Sequence, residues 1–400
     1  MRDILYISYD GMLDALAYSQ IYPYLSKLAE KGFKINVLSF EKSAKTNNHA
    51  ELSKQRQRLG VCGVIWMPLR YHKSPSIPAT VYDILQGVFF GLKAVIKDRI
   101  GIIHARGHIS ALIGVFLKYT TGARLIFDMR GFWPDEKVDA GCWKKDGLLH
   151  AIFKTMERYL INVCDEVIVL TNAASNYLRK SSKEKLPTVI PCCVDSRLFR
   201  PYHETAILPK ELHGRFVVAY SGSLGTFYNL EEMANFFIIL KEQRKDAFFL
   251  LITSCALDAC QESLLMRKLD KPDYMVTHAA YASMPFLLSA SSVSIMFYRR
   301  TLSYRGCSPV KFAESLSCGV PVVINSGIGD SENIVNQERV GIVVSDFSDS
   351  GYRNSISKLN ELLSDSASLE RRCRFVAENY FSLDEGAEKY SQLYQKYHEC

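Results

Sequence analysis

The chain reads as an α/β protein made of two doubly wound, Rossmann-like parallel sheets. Three observations predict it. Short apolar runs alternate with helix-period segments along all 400 residues. The runs, such as FVVAYSG (216–222) and AFFLLIT (247–253), are continuous rather than alternating, as strands covered by helices on both faces require. The pattern restarts near Phe216, and the length exceeds one ordinary core.

In the first half the expected strands are 3–9, 33–39, 61–67, 100–104, 123–128, 165–171 and 187–191. In the second half they are 215–221, 246–252, 273–277, 292–298, 320–324 and 340–344. Between the halves, Arg197 to Gly214 carries Pro201 and Pro209 and little periodicity, so a linker is expected there. The expected domains are 1–205, 206–377 and a C-terminal helix over 378–400. Ligands of such sheets bind beyond the carboxyl ends of the strands, so two facing domains would form a cleft there.

Composition excludes some classes. With 48% hydrophobic and 23% charged residues the chain is globular, not disordered. No apolar run is expected to span a bilayer, and Met1-Arg2-Asp3 leads straight into a strand rather than a signal peptide. The eleven cysteines show no C-x-x-C spacing, which favours reduced cytosolic thiols over disulfides or zinc. Residues 1–205 carry 29 Lys and Arg against 19 Asp and Glu, while the remainder carries 20 against 23. A basic first half points to an anionic partner, but no nucleic-acid module accompanies it.

The stretch SPVKFAESLSCGVPVV (308–323) holds most chemistry per residue. Ser308 is a good N-cap, Pro309 a favoured first helical residue, and Gly319 a helix stop before a buried strand. Free N–H groups at this helix start, through Val310, suit a phosphate. Lys311 opposes the helix dipole, which a nearby anion would explain, and Glu314 could accept two hydroxyls of a ribose. A plain capped helix with solvated Lys and Glu explains the same residues. Gly222, Ser223 and Gly225 form a small-residue turn after a strand, suited to phosphate or simply to a tight turn.

FDMRGFWPDE (127–136) ends a strand at Asp128 and follows it with Arg130, Trp133, Asp135 and Glu136. In a binding loop, Arg130 would meet phosphate or sugar, Trp133 would stack on a sugar face, and the carboxylates would take acceptor hydroxyls; a surface ion-pair loop is the alternative. His104 and His108 lack a third ligand, so they read as a packed strand-end residue and a helix start rather than a metal site. Lys42, Lys45, Lys54, Arg56, Arg58, Arg70 and Lys73 precede a helix whose Val81, Leu85, Val88, Phe89, Leu92 and Val95 fall on one stripe. That pairing reads as anionic-lipid contact or as ordinary core packing under solvated charges.

Taken in order, these segments resemble the retaining GT-B glycosyltransferases of family 4 (glycosyl transferases group 1). The segment Pro309-x-Lys311-x-x-Glu314 with Gly319-Val320-Pro321-Val322-Val323 resembles the family's donor-site motif. SYDGM (8–12), IIHARGHISALIG (102–114), IPCCVDSRLFRP (190–201) and YSGSLGTFYNLEEM (220–233) resemble its other landmarks, and FDMRGFWPDE is like a bacterial surface-polysaccharide subgroup. The resemblance implies transfer of a sugar from a UDP- or GDP-sugar to a lipid-linked or cell-envelope saccharide. It implies a hexosyltransferase with retention and without a metal cofactor. The expected place is the cytoplasm, peripheral on the inner face of the cytoplasmic membrane.

Under the resemblance, Arg130, Lys311, Glu314 and Asp128 are the catalytic candidates. Gly222, Ser223, Arg299, Arg300, Ser308, Pro309 and Val310 are donor-binding; Gly11, Trp133, Asp135 and Glu136 are acceptor-binding. Two departures stand out. The family's first glutamate falls at Gly306, and its usual Arg and Lys after the first strand of the second domain are replaced by Ser223 and an aromatic near Tyr228. Arg299, Arg300, Arg305 and Lys311 are the expected substitutes. A sugar-nucleotide epimerase and a non-catalytic nucleotide- or membrane-binding protein remain as other readings.

Overall fold

Each expected apolar run is a strand. The structure, a computed structural model, describes residues 3–42, 48–181, 186–203, 208–224, 227–253, 268–299 and 301–397. The chain divides into two units, Met1–Pro191 with Leu383–Cys400, and Cys192–Ser382.

The first unit contains β1 (Ile4–Ser8), β2 (Ile35–Lys42), β3 (Val64–Tyr71), β4 (Ile102–Arg106), β5 (Arg124–Asp128), β6 (Glu166–Val169) and β7 (Thr188–Val189). They form one parallel sheet in the order β3-β2-β1-β4-β5-β6-β7. Its helices before the second unit are α1 (Ala15–Gln20), α2 (Tyr22–Glu30), α3 (His49–Val61), α4 (Ser76–Asp98), α5 (His108–Thr121), α6 (Trp133–Asp139), α7 (Leu148–Val163) and α8 (Asn172–Ser181). The C-terminal helix, Leu383–Gln395, also belongs to this unit. Residues of β1, β4 and β5 are buried throughout apart from Arg124, which is why their apolar runs do not alternate.

The second unit holds β8 (Phe216–Ser221), β9 (Ala247–Ile252), β10 (Tyr274–Thr277), β11 (Val293–Met296), β12 (Val322–Asn325) and β13 (Gly341–Val344), in the order β10-β9-β8-β11-β12-β13. Its helices are α9 (Leu230–Gln243), α10 (Met284–Ser289), α11 (Val310–Ser317), α12 (Ser331–Glu338), α13 (Asp349–Leu363) and α14 (Ser366–Tyr380). In both sheets the strand order reverses once, between β1 and β4 and between β8 and β11. Folds of this kind bind ligands beyond the carboxyl ends of the strands at such a reversal.

Three expectations change. The stretch from Arg197 is not a linker: Phe199 is fully buried in the second unit, and its carbonyl accepts the Ser317 hydroxyl at 2.6 Å. The second unit therefore starts at Cys192 rather than 206, and it runs to Ser382 because Val194 N–H donates to the Phe381 carbonyl at 2.8 Å.

Next, α4 is long and apolar enough to cross a membrane by length and composition, contrary to expectation. A third of its most apolar window is buried.

Finally, the α4 stripe divides. Its core face is made of Ala79, Asp83, Gly87, Gly91, Ala94 and Val95. A side chain at Gly87 would meet Ile113 Cδ1 at 2.5 Å, so the small residues let α4 lie close against α5. Ile77, Val81, Leu85, Phe89 and Ile96 are instead exposed. Among the basic residues beside it, Arg58 stacks on Tyr22 at 4.0 Å and Lys42 pairs with Asp14 at 2.8 Å; Lys45 lies outside the described residues.

Candidate functional site

The second unit concentrates its chemistry where β8, β11 and the start of α11 meet. Helix α11 begins at Val310 with Pro309 at its N-cap position, one residue later than the sequence suggests. Ser308 does not cap it; its Oγ accepts the Cys192 N–H at 3.2 Å instead. Lys311 therefore sits in the first turn with its side chain 6% exposed, and Glu314 lies a turn later at 5%.

Lys311 Nζ donates to the Tyr220 hydroxyl at 3.1 Å and rests 3.7 Å from the centre of the Tyr228 ring. Tyr220 in turn donates to the Ser223 carbonyl at 2.5 Å. Gly222 has φ +127, and a side chain there would come within 2.5 Å of Lys311 Nζ, so only glycine leaves room for the ammonium. The aromatic at 228 thus does not merely replace a cation: it forms the seat of the lysine. The neighbouring Ser221 hydroxyl is buried with no hydrogen-bond partner.

The Tyr281 hydroxyl favours the charged form of the Glu314 carboxyl. Burial drags the Lys311 ammonium from its ordinary 10.5 down to about 7, although Glu314 pulls the other way. Burial likewise pushes the Glu314 carboxyl up to about 7, opposed by Tyr281 and Lys311. Each group is short of compensation for its charge. A diphosphate near Lys311 would restore the ammonium.

Other donor candidates divide. Arg299 is exposed, and its N–H donates to the Phe227 carbonyl at 3.1 Å next to the Tyr228–Tyr298 bridge. Arg300 and Gly225 lie outside the described residues. Gly306 is buried at the end of a 3-10 turn, Leu302–Gly306.

In the first unit, Asp128 is enclosed by its partners. It is 1% exposed and accepts the Tyr390 hydroxyl at 3.1 Å, with His104 Nε2 at 3.5 Å and Arg130 Nη1 at 3.4 Å. The Asp128 carboxylate only accepts, so His104 Nε2 carries a proton towards it, and Nδ1 lies 2.6 Å from the Tyr394 hydroxyl. Burial would raise the Asp128 carboxyl, but Arg130, His104 and Arg106 outweigh it and hold it well below the usual range. It holds Arg130, whose Nη2 also donates to Gln20 Oε1 at 3.0 Å. Gly11 sits in a turn fixed by Glu41, which accepts the N–H groups of Met12 (2.7 Å) and Leu13 (3.1 Å). A side chain at Gly11 would strike Glu41 Oε2 at 2.5 Å.

Trp133, Asp135 and Glu136 lie on α6 rather than in an open loop. Trp133 meets Trp143 and Phe153 edge-on at 5.3 and 5.2 Å between ring centres. Asp135 accepts from His150 Nε2 and Lys154 Nζ, each at 3.0 Å. Burial, then Glu157, pushes the Glu136 carboxyl up to about 7. Apart from Trp143, those partners come from α7, which sequence spacing does not reveal.

Sequence reasoning missed Tyr220, Tyr281, Gln20, Glu41, Tyr390 and Tyr394. Only Tyr220 lay inside a quoted motif, at the end of an apolar run. The rest come from other elements of the fold.

Residues 21–198 match the family model described as Glycosyltransferase Family 4. No curated protein matches the sequence. Solved structures match over the full length. Sucrose-phosphate synthase from Thermosynechococcus elongatus superposes with a TM-score of 0.77 at 17% identity, covering 99% of both chains. The fold is GT-B. Anabaena HepE, solved in complex with UDP and glucose, shares this GT-B fold at a TM-score of 0.69 and 13% identity, over 99% of this chain and 100% of that one. So does a putative UDP-N-acetylglucosamine 2-epimerase from Listeria monocytogenes, at 0.66 and 14%, over 100% of this chain and 97% of that one. The GT-B fold agrees with the two parallel sheets, and the family match falls on the first unit.

Proposed function

We propose that the protein is a glycosyltransferase that moves a hexose from a nucleoside-diphosphate sugar to a hydroxyl of a lipid-linked or cell-envelope saccharide. The observation that carries the proposal is the buried Lys311–Glu314 pair at the start of α11, beside the Gly222 turn. Cleavage of the bond from the anomeric carbon to the β-phosphate oxygen leaves charge on the diphosphate. Lys311, gaining a proton as the anion binds, and the N–H groups that open α11 stabilise that charge. Glu314 exchanges its Tyr281 contact for the ribose hydroxyls and fixes the donor. The new bond forms at the acceptor oxygen, whose proton passes to the departing diphosphate. HepE's complex with UDP and glucose supports a UDP-sugar, and we assign retention and metal independence as part of the same reading.

The first unit supplies the acceptor side, with Arg130 as the cation held ready by Asp128 and Gln20. The exposed Ile77, Val81, Leu85 and Phe89 of α4 support a peripheral place on an anionic membrane surface, inside the cell. Binding to vesicles of phosphatidylglycerol, reduced by Leu85→Ser with Phe89→Ser, tests that part.

The epimerase neighbour makes a second reading concrete. Both are tested together: screen UDP-, GDP- and other nucleotide sugars for thermal stabilisation, then follow diphosphate release with and without envelope extract. Release that requires extract supports transfer. A changed sugar nucleotide formed without any acceptor overturns it in favour of epimerisation.

A further inference from the structure

The first unit holds a second group of polar side chains that the reaction described above does not use. Asp83, on the core face of α4, is fully buried. Its Oδ2 accepts the Tyr9 hydroxyl at 2.9 Å and the His72 backbone N–H at 3.1 Å, and its Oδ1 lies 2.6 Å from His72 Nδ1. A carboxylate only accepts, so Nδ1 carries a proton, and the tautomer this selects has Nε2 as an acceptor. His72 follows β3 and Tyr9 follows β1, so both stand at the carboxyl edge of the sheet, where α/β folds take ligands.

The imidazole is partly open: its side chain is 32% exposed. Aromatic rings wall the place. Tyr82 meets the His72 ring edge-on at 5.1 Å, and Tyr71 meets Tyr9 at 5.4 Å. A fixed hydrogen-bond acceptor among aromatic faces suits a saccharide, which offers hydroxyls at its rim and C–H faces to rings.

We infer that His72, oriented by Asp83 and Tyr9, is a binding site for a hydroxyl of the acceptor saccharide. The inference rests on the proposed transferase reading for the word acceptor, but the site itself is a carbohydrate site whichever donor is used. The hydroxyl donates to Nε2, Asp83 holds the tautomer that lets it do so, and the tyrosine rings pack the sugar face. Asp83 and Tyr9 are positioning residues, since they act through His72.

The test uses n-octyl glucoside, galactoside and mannoside below their micelle concentrations, with ¹⁵N-histidine-labelled full-length protein. At least one glycoside should shift the His72 Nε2 resonance, and His72→Gln should weaken its binding about 10-fold, the loss of one hydrogen bond. UDP-induced thermal stabilisation should stay within about twofold in apparent affinity, because α11 is untouched. Asp83→Asn should move the His72 ring to the other tautomer, visible in its ¹⁵N shifts, a change that a merely structural role would not produce. Tyr9→Phe keeps the carboxylate if that variant fails to fold, and should weaken glycoside binding less than His72→Gln does.

No response at His72 to any of the three glycosides, or equal glycoside binding by folded His72→Gln, overturns the inference. Loss of glycoside and UDP binding together in His72→Gln also overturns it, as a general structural defect. If no nucleotide sugar stabilises the wild type while glycosides still shift His72, the donor reading fails and the carbohydrate site stands.

Discussion

Both sheets end in a buried ionisable cluster, and the two clusters are built on opposite plans. Around Asp128 the charge is met: Arg130, His104, Tyr390 and the neighbouring Arg106 all favour the carboxylate. Around Lys311 it is not: the ammonium has a tyrosine oxygen and aromatic rings, and Glu314 has one tyrosine hydroxyl. Burial dominates there and drives both groups towards their neutral forms. A cluster complete in itself positions a neighbour. A cluster left incomplete is one that a charged ligand can finish.

The largest expected effect separates the two plans by stability. Asp128→Leu leaves the partly buried Arg130 without its carboxylate and should cost about 3 kcal/mol. Lys311→Met, by contrast, should change stability by less than about 1 kcal/mol or even raise it, because Glu314 can keep its proton. Calorimetric unfolding of the two variants checks this. Equal losses would mean that Lys311 is as well compensated as Asp128.

Function should reverse that ranking within the second unit. Lys311→Met should reduce turnover of the donor on the order of 100-fold, the weight of one preorganised charge at the leaving group. Glu314→Gln should raise the donor KM more than it lowers kcat, as expected for a residue that orients rather than stabilises. Steady-state kinetics on the donor found by the screen decide it, and turnover within threefold of wild type in Lys311→Met would remove the lysine from the reaction.

The same contrast has a pH signature. Between pH 4.5 and about 7 the folded protein holds a proton on Glu314 that the unfolded chain has released, so stability falls as pH rises. Between about 7 and 10.5 the folded protein has lost a Lys311 proton that the unfolded chain keeps, so stability rises with pH. The pair therefore gives a trough near neutrality, on the order of 3 kcal/mol deep on its acid side. Lys311→Met with Glu314→Gln should flatten it in a pH series of urea midpoints. The Asp128 contribution is different in sign and place: its lowered carboxyl adds stability above its ordinary 3.8 that is lost only in stronger acid.

The sequence made one of these plans visible and hid the other. All thirteen described strands were legible because buried parallel strands write themselves as short continuous runs. Lys311 and Glu314 were legible because a Ser-Pro helix start and a glycine stop fix their positions, even though Ser308 turned out not to cap the helix. What surrounds them was not. Tyr281 reaches Glu314 from a separate turn, and Tyr390 and Tyr394 reach Asp128 and His104 from 262 and 290 residues away. No local period encodes a contact of that separation. For the same reason Asp135 read as a free loop carboxylate until α7 brought His150 and Lys154 against it.

Two single hydroxyls give the smallest and cleanest test. Tyr390→Phe removes one O–H donated to the Asp128 carboxylate, at about 1 kcal/mol, and Tyr281→Phe removes a hydroxyl that favours the Glu314 carboxylate. Asp128 stays ionised from pH 5 to 9, so the Tyr390→Phe cost should be flat over that range. Glu314 passes from acid to carboxylate near 7, and Tyr281 favours the carboxylate. The Tyr281→Phe cost should therefore be small at pH 6 and grow by pH 8.5. Urea midpoints of both variants at the two pH values measure it. A Tyr281→Phe cost as flat as that of Tyr390→Phe would show that Glu314 is held as firmly as Asp128, and the distinction between a finished cluster and an open one would fall.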